Sequence, residues 1–264
     1  MTNQAETAPA SGYPLRRILI LIAAFAAPFV GYAQMALDWG LSPSEFSADG
    51  DGTLRVAGYA FSIWAVIYGW LIVYGVYQAL PRTPETRVLR GLGWPSFLAL
   101  VGISLWIVAS AADAELMTIL LIFGSGLVLI APLWAGRGFQ DVSLKRRALI
   151  VWPVAMLAGW LTIASLVNLL TVLTGNDQLG GLSPMVWAIG AVVVATAAAL
   201  AMTWRTRAWT YPAPLAWGLI GVFVAERSEG DTPLAFAGLA AAFLVAIGAT
   251  LILARKRDVS PAAS

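Results

Sequence analysis

The chain has 264 residues, of which 59% are hydrophobic and 11% charged, and its mean hydropathy is +0.79. Ordinary soluble domains are roughly a quarter charged, so a soluble enzyme, a nucleic-acid binder and a disordered chain are excluded. The formal charge of +2 comes from basic residues spread over loops, and with neither cysteine nor histidine the chain lacks disulfides, thiol nucleophiles, Ser–His catalysis and the commonest metal and haem ligands.

A helix needs about 20 predominantly apolar residues to cross a bilayer. Eight stretches qualify as spans, over residues 15–37, 56–80, 94–111, 114–135, 148–173, 184–204, 210–225 and 232–254. The expected fold class is therefore all-α, a polytopic membrane helical bundle of about eight transmembrane helices. Residues 1–14 form an N-terminal tail and 255–264 a C-terminal one. The first span begins with Arg16-Arg17 in the manner of a signal peptide. Its apolar run to Leu37 is too long for one, and no small-residue cleavage site closes it, so it reads as a retained helix. The seventh span is the weakest, being short and carrying Pro212 and Pro214.

Charge fixes the expected orientation. With both termini cytoplasmic, 14 of the 16 basic residues fall on the inner side, which leaves only Arg55 and Arg227 outside. The tails and loops agree with eight crossings, and the expected location is a bacterial inner membrane. Four outward-going spans also carry an aromatic–proline pair, Tyr13-Pro14, Trp94-Pro95, Trp152-Pro153 and Tyr211-Pro212, expected to open each helix.

The predicted membrane interior holds no charged side chain. This argues against proton-coupled pumping, and with both lysines, Lys145 and Lys256, at the inner face, against a buried retinal Schiff base. No catalytic residue and no metal ligand is assigned, and the chain is not expected to be an enzyme. Six of the 12 tryptophans lie near span ends (Trp39, Trp94, Trp134, Trp152, Trp204, Trp209) and read as an interfacial belt. The other six (Trp64, Trp70, Trp106, Trp160, Trp187, Trp217) lie inside spans, where each indole N–H needs a partner.

Two stripes stand out. In the second span Phe61, Trp64 and Tyr68 share one helix face, with Gly75 further along it. In the fifth, Trp160, Ala164 and Asn168 recur every fourth residue. Such stripes serve either helix packing or a pocket, and Asn168 either bonds a neighbouring helix or faces a ligand. The outer connection from Asp38 to Arg55 reads as a flexible acidic loop; its Asp49-Gly50-Asp51-Gly52 lacks the full spacing of a calcium loop.

The Phe-x-x-Trp-x-x-x-Tyr of span two resembles the second helix of the tryptophan-rich sensory proteins, the TspO/peripheral benzodiazepine receptor family, and the Trp-x-x-x-Ala-x-x-x-Asn of span five resembles that family's fifth helix. Trp106 matches a tryptophan of its third helix, although Ile103 stands where the family commonly has Asn. The resemblance implies a five-helix core over residues 15–175, with 176–254 as a three-helix C-terminal extension. It further implies a receptor or sensor that binds a planar hydrophobic ligand, typically a tetrapyrrole, between its helices. The implied lining is Phe61, Trp64, Tyr68, Trp106, Trp160, Ala164 and Asn168, with Arg55 as an anchor for porphyrin carboxylates and the outer connection as a lid. No obligatory cofactor is implied, porphyrin being a ligand. The expected partners are the lipid bilayer, a hydrophobic small molecule and a second copy of the chain, and not nucleic acid. A small-molecule transporter and a structural or assembly factor of a membrane complex stay open as alternatives.

Overall fold

In a bilayer every backbone N–H and C=O has to be satisfied within the protein, which favours long uninterrupted helices. A computed structural model describes residues 13–49, 52–136 and 142–255 and shows this arrangement. The helices are α1 (Tyr13–Ala36), the short α2 (Pro43–Asp49), α3 (Ile63–Ala79), α4 (Arg87–Ala111), α5 (Glu115–Ala135), α6 (Leu144–Gly175), α7 (Pro184–Thr206), α8 (Pro212–Ser228) and α9 (Thr232–Ala254). A 3₁₀ turn, Gly58–Ser62, leads into α3. Among the described residues there are seven helices long and apolar enough to cross a membrane. The seventh expected span, α8, has 17 residues and falls short of that length. It still joins the two ends of the bundle, from the aromatic cluster beside Trp209 to an ion pair at Glu226. The protein is an integral membrane helical bundle.

The helix α6 is the centre of the packing. It touches α3 and α5 on one side and α7 and α8 on the other, while α1 and α4 complete the first group and α9 the second. Of its most apolar stretch 78% is buried, against 50% or less for every other span. Close approach to α8 is possible because residue 159 is glycine: a Cβ there would lie 2.1 Å from the Tyr211 carbonyl oxygen. Thr162 and Tyr211 share a hydroxyl–hydroxyl hydrogen bond of 2.7 Å at the same contact. Gly75 similarly admits α1, with Ala24 Cβ 3.0 Å from where its own Cβ would be.

The ends of the bundle are polar. At one, Glu85 accepts from Arg16 at 2.8 Å and from Arg17 at 3.1 Å, which ties the start of α1 to the α3–α4 connection. The first span is therefore an integral part of the bundle. At the same end Arg147 donates to the Arg207 carbonyl at 2.7 Å, and Arg207 donates to the carbonyls of Ile252 and Arg255, capping α9. Three connections at the opposite end turn on Asp38, Asp113 and Asp177, each at a positive φ of about 50°. Aspartate tolerates this conformation better than most residues.

Two sequence expectations are corrected. The aromatic–proline pairs do not all open helices. Trp94-Pro95 lies two turns inside α4, whereas Trp152-Pro153 does open the regular α-helical part of α6, directly after a π turn. Proline has no N–H to give to a carbonyl four or five residues upstream. At Pro153 the chain accommodates this with a π turn, Arg147–Val151, and the Ala148 carbonyl accepts instead from the Trp70 indole at 2.9 Å. Second, the connection from Asp38 to Arg55 is not loop throughout, since it contains α2. Gly50 and Asp51 of the acidic stretch lie outside the described residues.

Gly159→Ala should lower the stability of the detergent-solubilised protein by about 1–3 kcal/mol, the usual cost of overpacking a filled contact. Gly190→Ala, where nothing lies within 4 Å of the added methyl, should leave it unchanged. Thermal unfolding of the two variants side by side checks this.

Candidate functional site

The site is built where α2, the 3₁₀ turn, α3, α4, α5 and α6 converge. Ser42-Pro43-Ser44-Glu45 forms a capping box: the Ser42 amide donates to the Glu45 carboxylate at 2.8 Å, and the Glu45 amide donates to the Ser42 hydroxyl at 3.3 Å. Hydrogen bonding from Ser42, through its hydroxyl first and its amide second, holds the Glu45 carboxyl below its ordinary range. The capped helix turns Phe46 inward. Its ring is almost fully buried and meets Trp106 edge-on, 6.3 Å between centroids.

Beneath Phe46 lies a cavity of about 40 Å³. Phe61, Trp64, Trp106, Trp160, Ala164 and Asn168 all line it, joined by Val56, Ile122, Ile163, Val167, Thr171 and Gly218. Phe61 and Trp64 both present their rings edge-on to Trp160, at 6.3 and 6.1 Å. These edge-to-face contacts, favoured by the ring quadrupoles, set the indoles as flat walls. The stripes meet because the 3₁₀ turn and the first turn of α3 pack across α6. No ionisable side chain lines this cavity among the described residues.

Asn168 holds the polar side of the wall. Its Oδ1 accepts from the Trp106 indole at 2.9 Å, and its Nδ2 donates to the Thr118 hydroxyl at 2.9 Å. One amide thus links α4, α5 and α6 while also facing the cavity. Trp160 differs. Its indole nitrogen is buried and has no hydrogen-bond partner among the described residues. Trp70, Trp187 and Trp217 each reach a backbone carbonyl, of Ala148, Leu179 and Ala60, all at 2.9 Å.

Tyr68 stands one compartment away. It stacks on Trp64, 4.9 Å between centroids and 21° between planes. Both rings line a second space of about 410 Å³, whose other walls include Pro28, Gly31, Tyr32 and Met35 of α1 and Ile103 and Ile107 of α4. The two spaces share Pro43, Phe61, Trp64 and Trp106. Tyr32 and Met35 are exposed on the outer surface of α1, so the second space opens sideways towards lipid.

Arg55 is not brought to either space. Its guanidinium pairs with Glu226 at 3.2 Å and Glu229 at 3.6 Å, and its own amide donates to Glu226 at 2.5 Å. It lines a separate polar cleft of about 320 Å³ at the end of α8, with Ser47, Ala48 and Ser228. The sequence reading missed Phe46, Val56, Thr118 and Gly218. The capping box could have revealed α2 and hence Phe46. The Thr118 and Gly218 positions carry no local signal, because their partners are 50 residues away or more.

A family model described as TSPO-like protein matches residues 17–251 of the chain, a stretch that runs from α1 into α9. No curated protein and no solved structure matches it.

The bridging role of Asn168 can be measured. A double-mutant cycle of Asn168→Ala and Thr118→Ala, followed by unfolding in mixed micelles, should give a coupling of about 0.6–1.7 kcal/mol, the range for interhelical hydrogen bonds in membranes.

Proposed function

The chain belongs to the TSPO-like family, and from that premise we propose that it is a membrane receptor that holds a planar hydrophobic ligand, such as a tetrapyrrole, without chemical turnover. The observation that carries this reading is the cavity itself: five aromatic side chains, Phe46, Phe61, Trp64, Trp106 and Trp160, converge on one apolar space beside a single amide. Interhelical pockets with mostly apolar walls and a few polar groups are the usual form of small-molecule sites. The unpartnered indole N–H of Trp160 supports a ligand that brings a hydrogen-bond acceptor.

In this proposal the ligand occupies both spaces. The inner one is too small for a macrocycle, and Trp64, which borders both, swings to join them. Tyr68 and Trp64 then stack on one face and Trp160 meets the ring edge. Ionised carboxylates of a porphyrin stay outside, because burying a charge without a partner is costly and the lining offers no cation. Arg55 is already engaged by Glu226 and Glu229, so the anchoring role given to it by resemblance is replaced with the one developed below. The distribution of basic residues supports both termini on the cytoplasmic face of a bacterial inner membrane.

The test is titration of the purified protein with protoporphyrin, followed by tryptophan quenching. Saturable, stoichiometric binding is expected, weakened roughly 2–10-fold in Trp160→Phe and in Trp64→Phe, the factor that loss of an aromatic contact makes. Non-saturable quenching, equal in both variants and in an unrelated membrane protein, would overturn the reading.

A further inference from the structure

Residues 53–60 run along α8 as a strap. The Arg55 amide donates to Glu226 at 2.5 Å, the Ala57 amide to the Gly221 carbonyl at 3.1 Å, and the Trp217 indole to the Ala60 carbonyl at 2.9 Å. Tyr59 packs edge-on against Trp217, 5.4 Å between centroids. Residue 221 has to be small, since a Cβ there would lie 2.9 Å from a Val56 methyl and 3.0 Å from Ala60 Cβ. The strap carries Val56, with Phe61 just after it, into the cavity wall, so it cannot lift without opening the cavity.

Two features make the seam a latch rather than inert packing. Leu54 sits at φ 63°, a left-handed conformation that costs a branched residue energy and persists only when its surroundings enforce it. Here it is held by complete burial of the side chain and by the bonds that follow it. The Glu226 side chain is fully buried, and its charge is met by the half-exposed Arg55. Separating the pair leaves a carboxylate stranded, so the contact favours an all-or-none release.

We propose that α8 is the latch of the cavity: it holds the strap shut through Glu226, and release of the Arg55–Glu226 contact sets the rate at which a ligand enters and leaves. The inference rests on the ligand-binding reading above and gives the helices beyond α6 a role in it.

The absence of cysteine from the chain permits a test that needs no ligand. Ser47, on α2, lines both the cavity and the outer cleft, and its hydroxyl has no partner among the described residues. Ser47→Cys in the full chain, in lipid nanodiscs, is labelled with a membrane-impermeant maleimide. Adding Glu226→Gln, which keeps an acceptor for the Arg55 amide but removes the charge, should speed labelling by about tenfold or more, as expected for loss of a charged hydrogen bond. Arg55→Gln, which keeps the backbone bond, should act in the same direction and serves if the first variant does not fold. Glu229→Gln should change nothing. Protoporphyrin association and dissociation should both accelerate in the latch variants. Labelling rates equal to the parent in both variants would overturn the latch, and faster labelling with unchanged ligand rates would overturn its control of exchange. If the parent binds no protoporphyrin, the ligand reading and the gating of exchange fail together, while labelling still decides whether α8 holds the strap.

Discussion

The structure depends on one constraint: inside a bilayer, a backbone carbonyl without a donor has no water to turn to. At three places where the chain leaves regular α-helix, an indole supplies a hydrogen. Trp70 serves the π turn ahead of Pro153, and Trp217 serves the 3₁₀ turn ahead of α3. Trp187 does the same for Leu179 in the connection before α7. The first two connect elements far apart in the chain, so irregular backbone becomes a point of attachment. The buried indole nitrogens of Trp152 and Trp160 have no such partner among the described residues, and Trp160 stands at the cavity wall.

That cavity is a place where packing stops short. Edge-to-face aromatic contacts keep its walls apart instead of letting them collapse, and Asn168 fixes α4, α5 and α6 around it. Its lining is neutral. The chain's charges are gathered at the two ends of the bundle, where Glu85 and Glu226 each organise a connection. The apolar interior and the polar ends therefore do different work: one admits a flat uncharged surface, and the other fixes the loops that cover it.

Much of this was legible in the sequence, for identifiable reasons. The long helices announce themselves because twenty apolar residues have few other uses, and the stripes at Phe61–Tyr68 and Trp160–Asn168 because helical periodicity is local. The seven-residue α2 has too little apolar pattern to be seen that way, and only its capping box marks it. The helix start at Trp94-Pro95 was misplaced because a proline inside a helix, once its neighbours compensate, looks like a proline that begins one. The partner of Arg55 was beyond reach: 171 residues separate it from Glu226, and only the folded chain sets the two side by side.

The central position of α6 has a consequence for how the protein is made. A ribosome delivers α6 to the membrane before α7, α8 and α9 exist, yet it is those later helices that cover one whole side of it. The Thr162 hydroxyl waits for Tyr211, and Gly159 for the backbone of residue 211. Newly inserted α6 thus presents an unfinished flank to lipid or to the insertion machinery until the last third of the chain arrives. Its packing is completed only by the C-terminal helices, the last to be made.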